Sequence, residues 1–259
     1  MQTLSLSHVL IAMISAFLAG GINSVAGGGT LVTFPSLIAL GLPSIAANAT
    51  STVAIWPGSL GSMWGFRREI REINPRFLLL AIPSVIGGLV GALLLRRTPA
   101  ALFDHLVPFL ILFATVLFSV QAPIQRRLQT TPHHEGKRST TWVLCATLAQ
   151  FMVGIYGGYF GAGMSIMMLT VLAFMGMEDI LKMSALTSFL GFCTNGVASI
   201  LFAVSHMVVW VYVLAMMFAA LFGGYAAAGI ARRIGRVAVR RFVISVGFTI
   251  AVALFIKMH

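Results

Sequence analysis

Ten apolar runs occupy most of the chain and are separated by short polar stretches. Most of these runs are near the roughly 20 residues that a membrane-spanning helix needs, while the second and seventh are too short. The runs cover residues 8–26, 30–41, 44–66, 77–95, 103–120, 141–160, 164–177, 183–204, 207–231 and 239–256. The pattern predicts an all-α integral membrane protein, and we expect the first run to remain as structure because no basic segment precedes it.

The two halves carry one glycine pattern at a constant spacing. Four residues recur 134 positions later, and Gly87-Gly88 recurs as Gly223-Gly224 at a spacing of 136. The four matched pairs are Phe17 with Phe151, Gly20 with Gly154, Gly27 with Gly161, and Gly29 with Gly163. A fixed register of this kind indicates a duplicated unit. We therefore divide the chain into a first transmembrane repeat (1–120), a cytoplasmic linker (121–139) and a second transmembrane repeat (140–259).

Basic residues are concentrated in three loops. The chain has 17 Lys and Arg against 6 Asp and Glu, and the basic loops lie near residues 67–76, 126–138 and 232–241. Placing these loops and Lys182 in the cytoplasm leaves only Arg96, Arg97 and Lys257 outside, in agreement with the positive-inside rule. The charge of +11 is thereby explained by membrane topology, so we expect a lipid bilayer and no nucleic acid as partner.

The same loops predict how the repeats are oriented. With the basic loops inside, the first half makes an odd number of crossings, so the second half begins on the opposite side. Its loop at 205–207, the counterpart of the basic 67–76 loop, has no Lys or Arg. The sequence thus predicts two inverted-topology repeats of about five helical segments each, with glycine-broken short helices and both termini outside.

The glycine strings at 27–29 and 161–163 predict a helix break in each repeat. Broken helices at membrane depth are tolerated where protein buries the backbone or where it lines a water-filled cavity. The helices that restart at Thr30 and Met164 would then present free N–H groups and positive dipole ends, which suit an anion. The alternative interpretation is that the glycines only permit tight packing at a bend.

Hydroxyl and amide side chains follow each break, and Thr50-Ser51 in the first half corresponds to Thr187-Ser188 in the second. Such groups can donate to an anion or can simply join helices by hydrogen bonds. We predict a substrate-binding site made of both breaks and these side chains. Its residues are Gly27, Gly28, Gly29, Thr30, Asn48, Thr50, Ser51, Gly161, Gly163, Ser165, Thr187, Ser188 and Asn195.

Carboxylates are absent from the middle of every predicted crossing. Proton relays and sodium sites commonly use intramembrane acids, so coupling to either cation is not indicated, although carbonyl and hydroxyl ligands for sodium stay open. We expect no metal and no cofactor, since the adjacent His133-His134 lacks further ligands. A small anion is the expected ligand. The sequence is also compatible with a homodimer.

Two other classes of function are compatible with parts of the sequence. A membrane-embedded enzyme is disfavoured because His8, His105 and His206 lie at predicted membrane edges and no serine sits in a Gly-x-Ser-x-Gly turn. A scaffold or channel subunit that does not itself transport is harder to distinguish from a carrier by sequence, because its packing glycines would form the same pattern.

The residues of both breaks resemble the sulfite exporter TauE/SafE family over nearly the whole chain. The resemblance is carried by Gly-Gly-Gly-Thr at 27–30 with Pro35, Gly41 and Thr50-Ser51, and by Gly-x-Gly at 161–163 with Gly176 and Thr187-Ser188. The second copy departs from the family pattern, with Ala162 in place of the middle glycine and Met168 where a proline is common.

This resemblance implies a multi-pass protein of the bacterial inner membrane. The implied activity is transport of sulfite, sulfonates and related small organic anions, with export as the expected direction. Uptake of an organic anion, such as a sulfonate or a carboxylate, is the alternative.

Overall fold

The computed structural model describes residues 6–25, 28–130, 140–177, 179–234 and 244–252, and among these it contains helices and no strands. The all-α fold class is thus confirmed. The twelve helices are α1 Leu6–Val25, α2 Thr30–Ala39, α3 Ser44–Ile55, α4 Gly58–Gly65, α5 Arg67–Arg71, α6 Pro75–Leu78, α7 Ala81–Arg97, α8 Ala100–Thr130, α9 Thr140–Tyr159, α10 Met164–Phe174, α11 Ile180–Val204 and α12 Trp210–Ile234. Residues 244–252 are also helical.

The helical bundle has an apolar outer surface. Large side chains such as Leu144, Val204 and Phe218 are 67%, 72% and 56% exposed, and soluble monomers rarely expose contiguous apolar surface on this scale. Within the described residues, four helices are long and apolar enough to cross a membrane: the spans are Leu6–Asn23, Pro75–Arg97, Ala100–Val120 and Ile180–Val204. Length, composition and surface therefore fit a multi-pass membrane protein.

Two short helices, α2 and α10, occupy equivalent places and end in the same way. Both begin at the residues predicted from the glycine strings. Each ends in a left-handed glycine, Gly41 with φ 88° and Gly176 with φ 73°. The next N–H donates back to the helix, from Leu42 to Leu37 O and from Met177 to Leu172 O, both at 3.1 Å. Glycine is required here because a Cβ disfavours positive φ.

The third apolar run of each half folds differently. Residues 44–66 were expected to form one segment but divide at Trp56-Pro57 into α3 and α4, whereas α11 is continuous. Proline lacks the N–H that would continue the helical hydrogen bonding. The Trp56 ring stacks on Phe192 at 5.3 Å, and its Nε1–H donates to the Phe192 carbonyl at 3.1 Å. The bend is thus held against α11 of the other half.

Helix α1 of the first half packs along α12 of the second half. The two backbones approach so closely that a Cβ added to Gly20 would lie 2.1 Å from the Ala220 carbonyl oxygen. A Cβ on Gly223 would lie 2.0 Å from the Phe17 carbonyl oxygen. Glycine is therefore the residue that permits this contact, as in other closely packed membrane helices.

The reciprocal pair, α9 with α7, repeats this contact with equivalent residues. A Cβ on Gly87, the counterpart of Gly223, would lie 2.4 Å from the carbonyl oxygen of Phe151, the counterpart of Phe17. A Cβ on Gly154, the counterpart of Gly20, would lie 3.0 Å from the Ser84 carbonyl oxygen. The first helix of each half thus packs against a helix of the other half.

The stretch predicted as a linker is partly helical. Helix α8 continues to Thr130, ten residues beyond the predicted end of the first repeat. Residues 131–139, including His133-His134, lie outside the described part of the chain.

Candidate functional site

A cavity lies between the two helix breaks and has a volume of about 530 Å³ including its opening to solvent. Both breaks, both short helices and the α3–α4 bend contribute to its wall. The lining residues are Asn23, Gly28, Thr30, Ile55, Ser59, Ser62, Gly161, Met164, Ser165, Thr187, Ser188, Gly191 and Asn195. The arrangement brings the N-termini of α2 and α10 to one space.

The first break is held by the side chain of Asn23. Its Oδ1 accepts the N–H of Gly29 at 2.9 Å, which ties the end of α1 to the start of α2. Gly28 and Gly29 have no room for a side chain. A Cβ on Gly28 would lie 2.0 Å from the Phe118 ring, and a Cβ on Gly29 would lie 2.6 Å from the Ala19 carbonyl oxygen. Gly27, predicted as part of this site, lies outside the described residues.

The second break is held by a different group. The Tyr156 hydroxyl donates to the carbonyl oxygen of Ala162 at 2.6 Å. Gly161 and Gly163 both have φ 78°, a left-handed conformation that favours glycine. The Ser165 N–H makes no hydrogen bond to any of the described residues. This N–H, near the positive end of α10, is available to a ligand in the cavity.

Several polar side chains of the cavity wall have no protein partner within the described part of the chain. They are the hydroxyls of Thr30, Ser59, Ser62 and Ser165 and the amide of Asn195. Thr187 and Ser188 differ, because both hydroxyls donate to the Ser184 carbonyl oxygen, at 3.0 and 2.9 Å. In this arrangement the two hydroxyls present only oxygen lone pairs to the cavity. They can donate to a ligand only if their hydrogens rotate away from the Ser184 carbonyl oxygen.

Three residues predicted for the site are placed in the protein core beside the cavity. The Thr50 hydroxyl oxygen accepts the Val209 N–H at 3.0 Å, and the Ser51 hydroxyl lies 2.5 Å from that of Thr33. The Asn48 amide donates to the Tyr159 carbonyl oxygen at 2.9 Å, while its Oδ1 is buried and lacks a described partner. Thr50 and Asn48 thus bond to residues of the second half, whereas Ser51 bonds to α2 of its own half, and none of the three lines the cavity.

Gly29 and Gly163 do not line the cavity, but Gly29 lies between the lining residues Gly28 and Thr30, and Gly163 directly precedes the lining residue Met164. Gly28, Thr30, Gly161, Ser165, Thr187, Ser188 and Asn195 line it as predicted positions. Sequence reasoning did not select Asn23, Ser59 or Ser62. The Pro57-Gly58 dipeptide was the signal for the last two, because a helix bend inside an apolar run marks a place where polar groups can line a cavity.

The cavity wall has no charged side chain and no histidine among its lining residues. The carboxylate of Asp104, which contacts the Ser44 hydroxyl, is exposed and outside this wall. Within the described residues, no group of three His, Cys, Asp or Glu side chains is placed to hold a metal ion. The electrostatic character of the cavity therefore comes from helix N-termini and neutral donors, which favour an anion.

Comparisons with known proteins agree with this architecture. The family model described as Sulfite exporter TauE/SafE matches residues 12–254. A "Probable membrane transporter protein" of Haemophilus influenzae is 28% identical over 90% of this chain and 88% of its own length. The "Probable membrane transporter protein ORF9" of Sinorhizobium sp is 29% identical over 81% of this chain and 78% of its own length. The "Probable membrane transporter protein YfcA" of Escherichia coli K12 is 26% identical over 94% and 88%. No solved structure matches.

Proposed function

Because the chain belongs to the sulfite exporter TauE/SafE family, we propose that it exports small oxyanions of the sulfite and sulfonate type across the bacterial inner membrane. The observation that carries the proposal is the shared cavity between two helix N-termini. Neutral hydroxyls, an amide and a free N–H converge there without a fixed charge. Such a site binds a desolvated anion by dipoles and hydrogen bonds.

The neutral wall also supports turnover of the substrate. A buried Lys or Arg would bind an anion more tightly but would slow its release, whereas several weaker donors balance binding against departure. The glycine breaks add backbone N–H groups at close range without side-chain bulk. Transporters of several folds bind substrate where discontinuous helices meet near the bilayer midplane, and the two helix breaks that meet at this cavity support the same role here.

Flux through purified protein in liposomes tests this function. We expect saturable efflux of radiolabelled sulfite or of a taurine-like sulfonate, and much slower flux of a small carboxylate. Protein-free liposomes provide the background. Saturable inward flux alone would identify an uptake permease, and non-saturable flux a channel. If none of the three anions shows protein-dependent flux, the proposal is overturned, and a scaffold that does not transport is the remaining interpretation.

The reciprocal packing of α1 with α12 and of α9 with α7 supports the further proposal that the repeats have inverted topology. In that arrangement both termini face outward and the end of α8 faces the cytoplasm. Single cysteines introduced at positions 2, 130 and 259 of a cysteine-free variant check it with a membrane-impermeant maleimide. We expect labelling of 2 and 259 from outside and of 130 from the cytoplasm only. Termini on opposite sides would contradict the inverted repeat.

A further inference from the structure

Asn23 has two distinct faces in the structure. Its Oδ1 accepts the Gly29 N–H at 2.9 Å, and Asn23 is also one of the residues that line the cavity. An N–H can only donate, so the amide oxygen must be the atom that faces Gly29. The Nδ2 group therefore carries two hydrogens that have no acceptor among the described residues. The amide is fixed in orientation and keeps its donors for the cavity.

The second repeat has no counterpart of this group. Gly157 occupies the position 134 residues after Asn23, and a Cβ there would lie 2.1 Å from the Met164 sulfur. No side chain fits unless Met164 moves. The second break is held by Tyr156 instead, and its contribution to the cavity is the backbone N–H of Ser165. The two halves thus offer different donors to one ligand.

We propose that Asn23 is a substrate-binding residue whose amide is locked as a hydrogen-bond donor, so that it recognises the deprotonated oxygen of an oxyanion. This inference rests on the proposed function, since it names a contact within that site. An amide free to rotate would present either its oxygen or its nitrogen to the ligand. The hydrogen bond from the Gly29 N–H fixes the orientation of the amide. Asn23 then presents only its Nδ2 donors to a ligand and selects ligand groups that are hydrogen-bond acceptors.

The isosteric substitution Asn23→Asp separates the two roles of this side chain. A carboxylate still accepts the Gly29 N–H and so keeps the break, but it offers no donor and repels an anion. Asn23→Ala loses both roles. If Asn23 only holds the break, Asn23→Asp transports better than Asn23→Ala. If Asn23 binds the anion, Asn23→Asp unfolds at a higher temperature than Asn23→Ala, but its anion flux is no higher than that of Asn23→Ala.

A matched control is available at Asn74, whose Oδ1 accepts the Arg76 N–H at 3.1 Å outside the cavity. Asn74→Asp makes the same chemical change and also preserves a backbone hydrogen bond. We expect it to transport like the wild type, because it caps a surface helix and has no contact with the cavity.

The experiment measures sulfite flux against sulfite concentration in proteoliposomes and thermal unfolding of each variant in detergent. We expect Asn23→Asp to raise the half-saturating concentration about tenfold to a hundredfold, the usual effect of losing a hydrogen bond to a charged group. Its unfolding temperature should stay near that of the wild type. Wild-type affinity in Asn23→Asp, or flux clearly above that of Asn23→Ala, would overturn the inference while leaving the proposed function intact. A wild type without protein-dependent sulfite or sulfonate flux would refute the proposed function itself.

Discussion

Gly29→Val should reduce anion flux to the level of protein-free liposomes while the protein remains inserted in the membrane. A Cβ at Gly29 would lie 2.6 Å from the carbonyl oxygen of Ala19. That oxygen belongs to the backbone of α1, so the overlap can be relieved only by moving the start of α2 relative to α1, which displaces the cavity-lining residues Gly28 and Thr30. Flux in proteoliposomes and the amount of protein in washed membranes are the two measurements.

Gly163→Val should have the same result for a different physical reason. Its nearest neighbour would be Leu117 at 3.5 Å, so space is sufficient, but φ is 78°. A β-branched residue is strongly disfavoured in the left-handed region, and relaxation to negative φ would redirect the N–H groups that open α10. The two variants therefore test the two breaks by steric overlap and by backbone conformation.

Gly61→Val is the matched control for both variants. Gly61 is exposed in α4, and a Cβ added there meets no atom within 4 Å. We expect flux near that of the wild type, because this glycine does not line the cavity. Normal flux in both Gly29→Val and Gly163→Val would show that the breaks serve packing and that the substrate binds elsewhere.

Membrane potential is expected to drive export strongly. The described residues of the cavity wall contribute no charge of their own, so we expect the complex that crosses the membrane to carry the charge of the substrate. A potential of about 100 mV is worth roughly 2.3 kcal/mol per charge, hence roughly 4.6 kcal/mol for a dianion. This energy supports a concentration gradient of about three decades, since about 1.4 kcal/mol corresponds to a factor of ten.

A potassium gradient with valinomycin tests this dependence in proteoliposomes. A potential that is negative on the substrate side should accelerate efflux at equal pH and without sodium. Imposing a proton gradient at zero potential is the control and should have little effect. Flux that follows the proton gradient and ignores the potential would contradict the prediction. It would direct attention to Asp104, His105 and Glu178, the last of which lies outside the described residues.

The sequence was sufficient to predict features that depend on local backbone preference. The starts of α2 and α10 follow directly from the glycine strings, because left-handed or crowded backbone positions require glycine wherever they occur. The all-α fold follows from apolar runs of membrane-spanning length. In both cases the determining residues are neighbours along the chain, so their pattern is visible in the sequence.

The division of polar residues between cavity and core was less accessible. Thr50-Ser51 and Thr187-Ser188 look equivalent in sequence, yet Thr50 accepts an N–H from Val209, 159 positions away, while the second pair lines the cavity. Such a difference depends on which distant backbone group needs a partner. Asn23 was missed for a similar reason, since its importance arises from the distance between its Oδ1 and the Gly29 N–H. Their roles in binding stay predictions until flux is measured.

The exchange of first helices between the halves determines when the molecule can be completed during its synthesis. Gly20 of α1 contacts Ala220 of α12, which the ribosome adds 200 residues later. At roughly 5 to 20 residues per second, α1 spends about 10 to 40 s in the bilayer before its partner is made. Helices α9 and α7 meet much earlier, so the second contact forms while the first is still open. The contact between α1 and α12 is therefore completed after the equivalent contact between α9 and α7, and a ribosome that stops before α12 leaves the small-residue face of α1 uncovered.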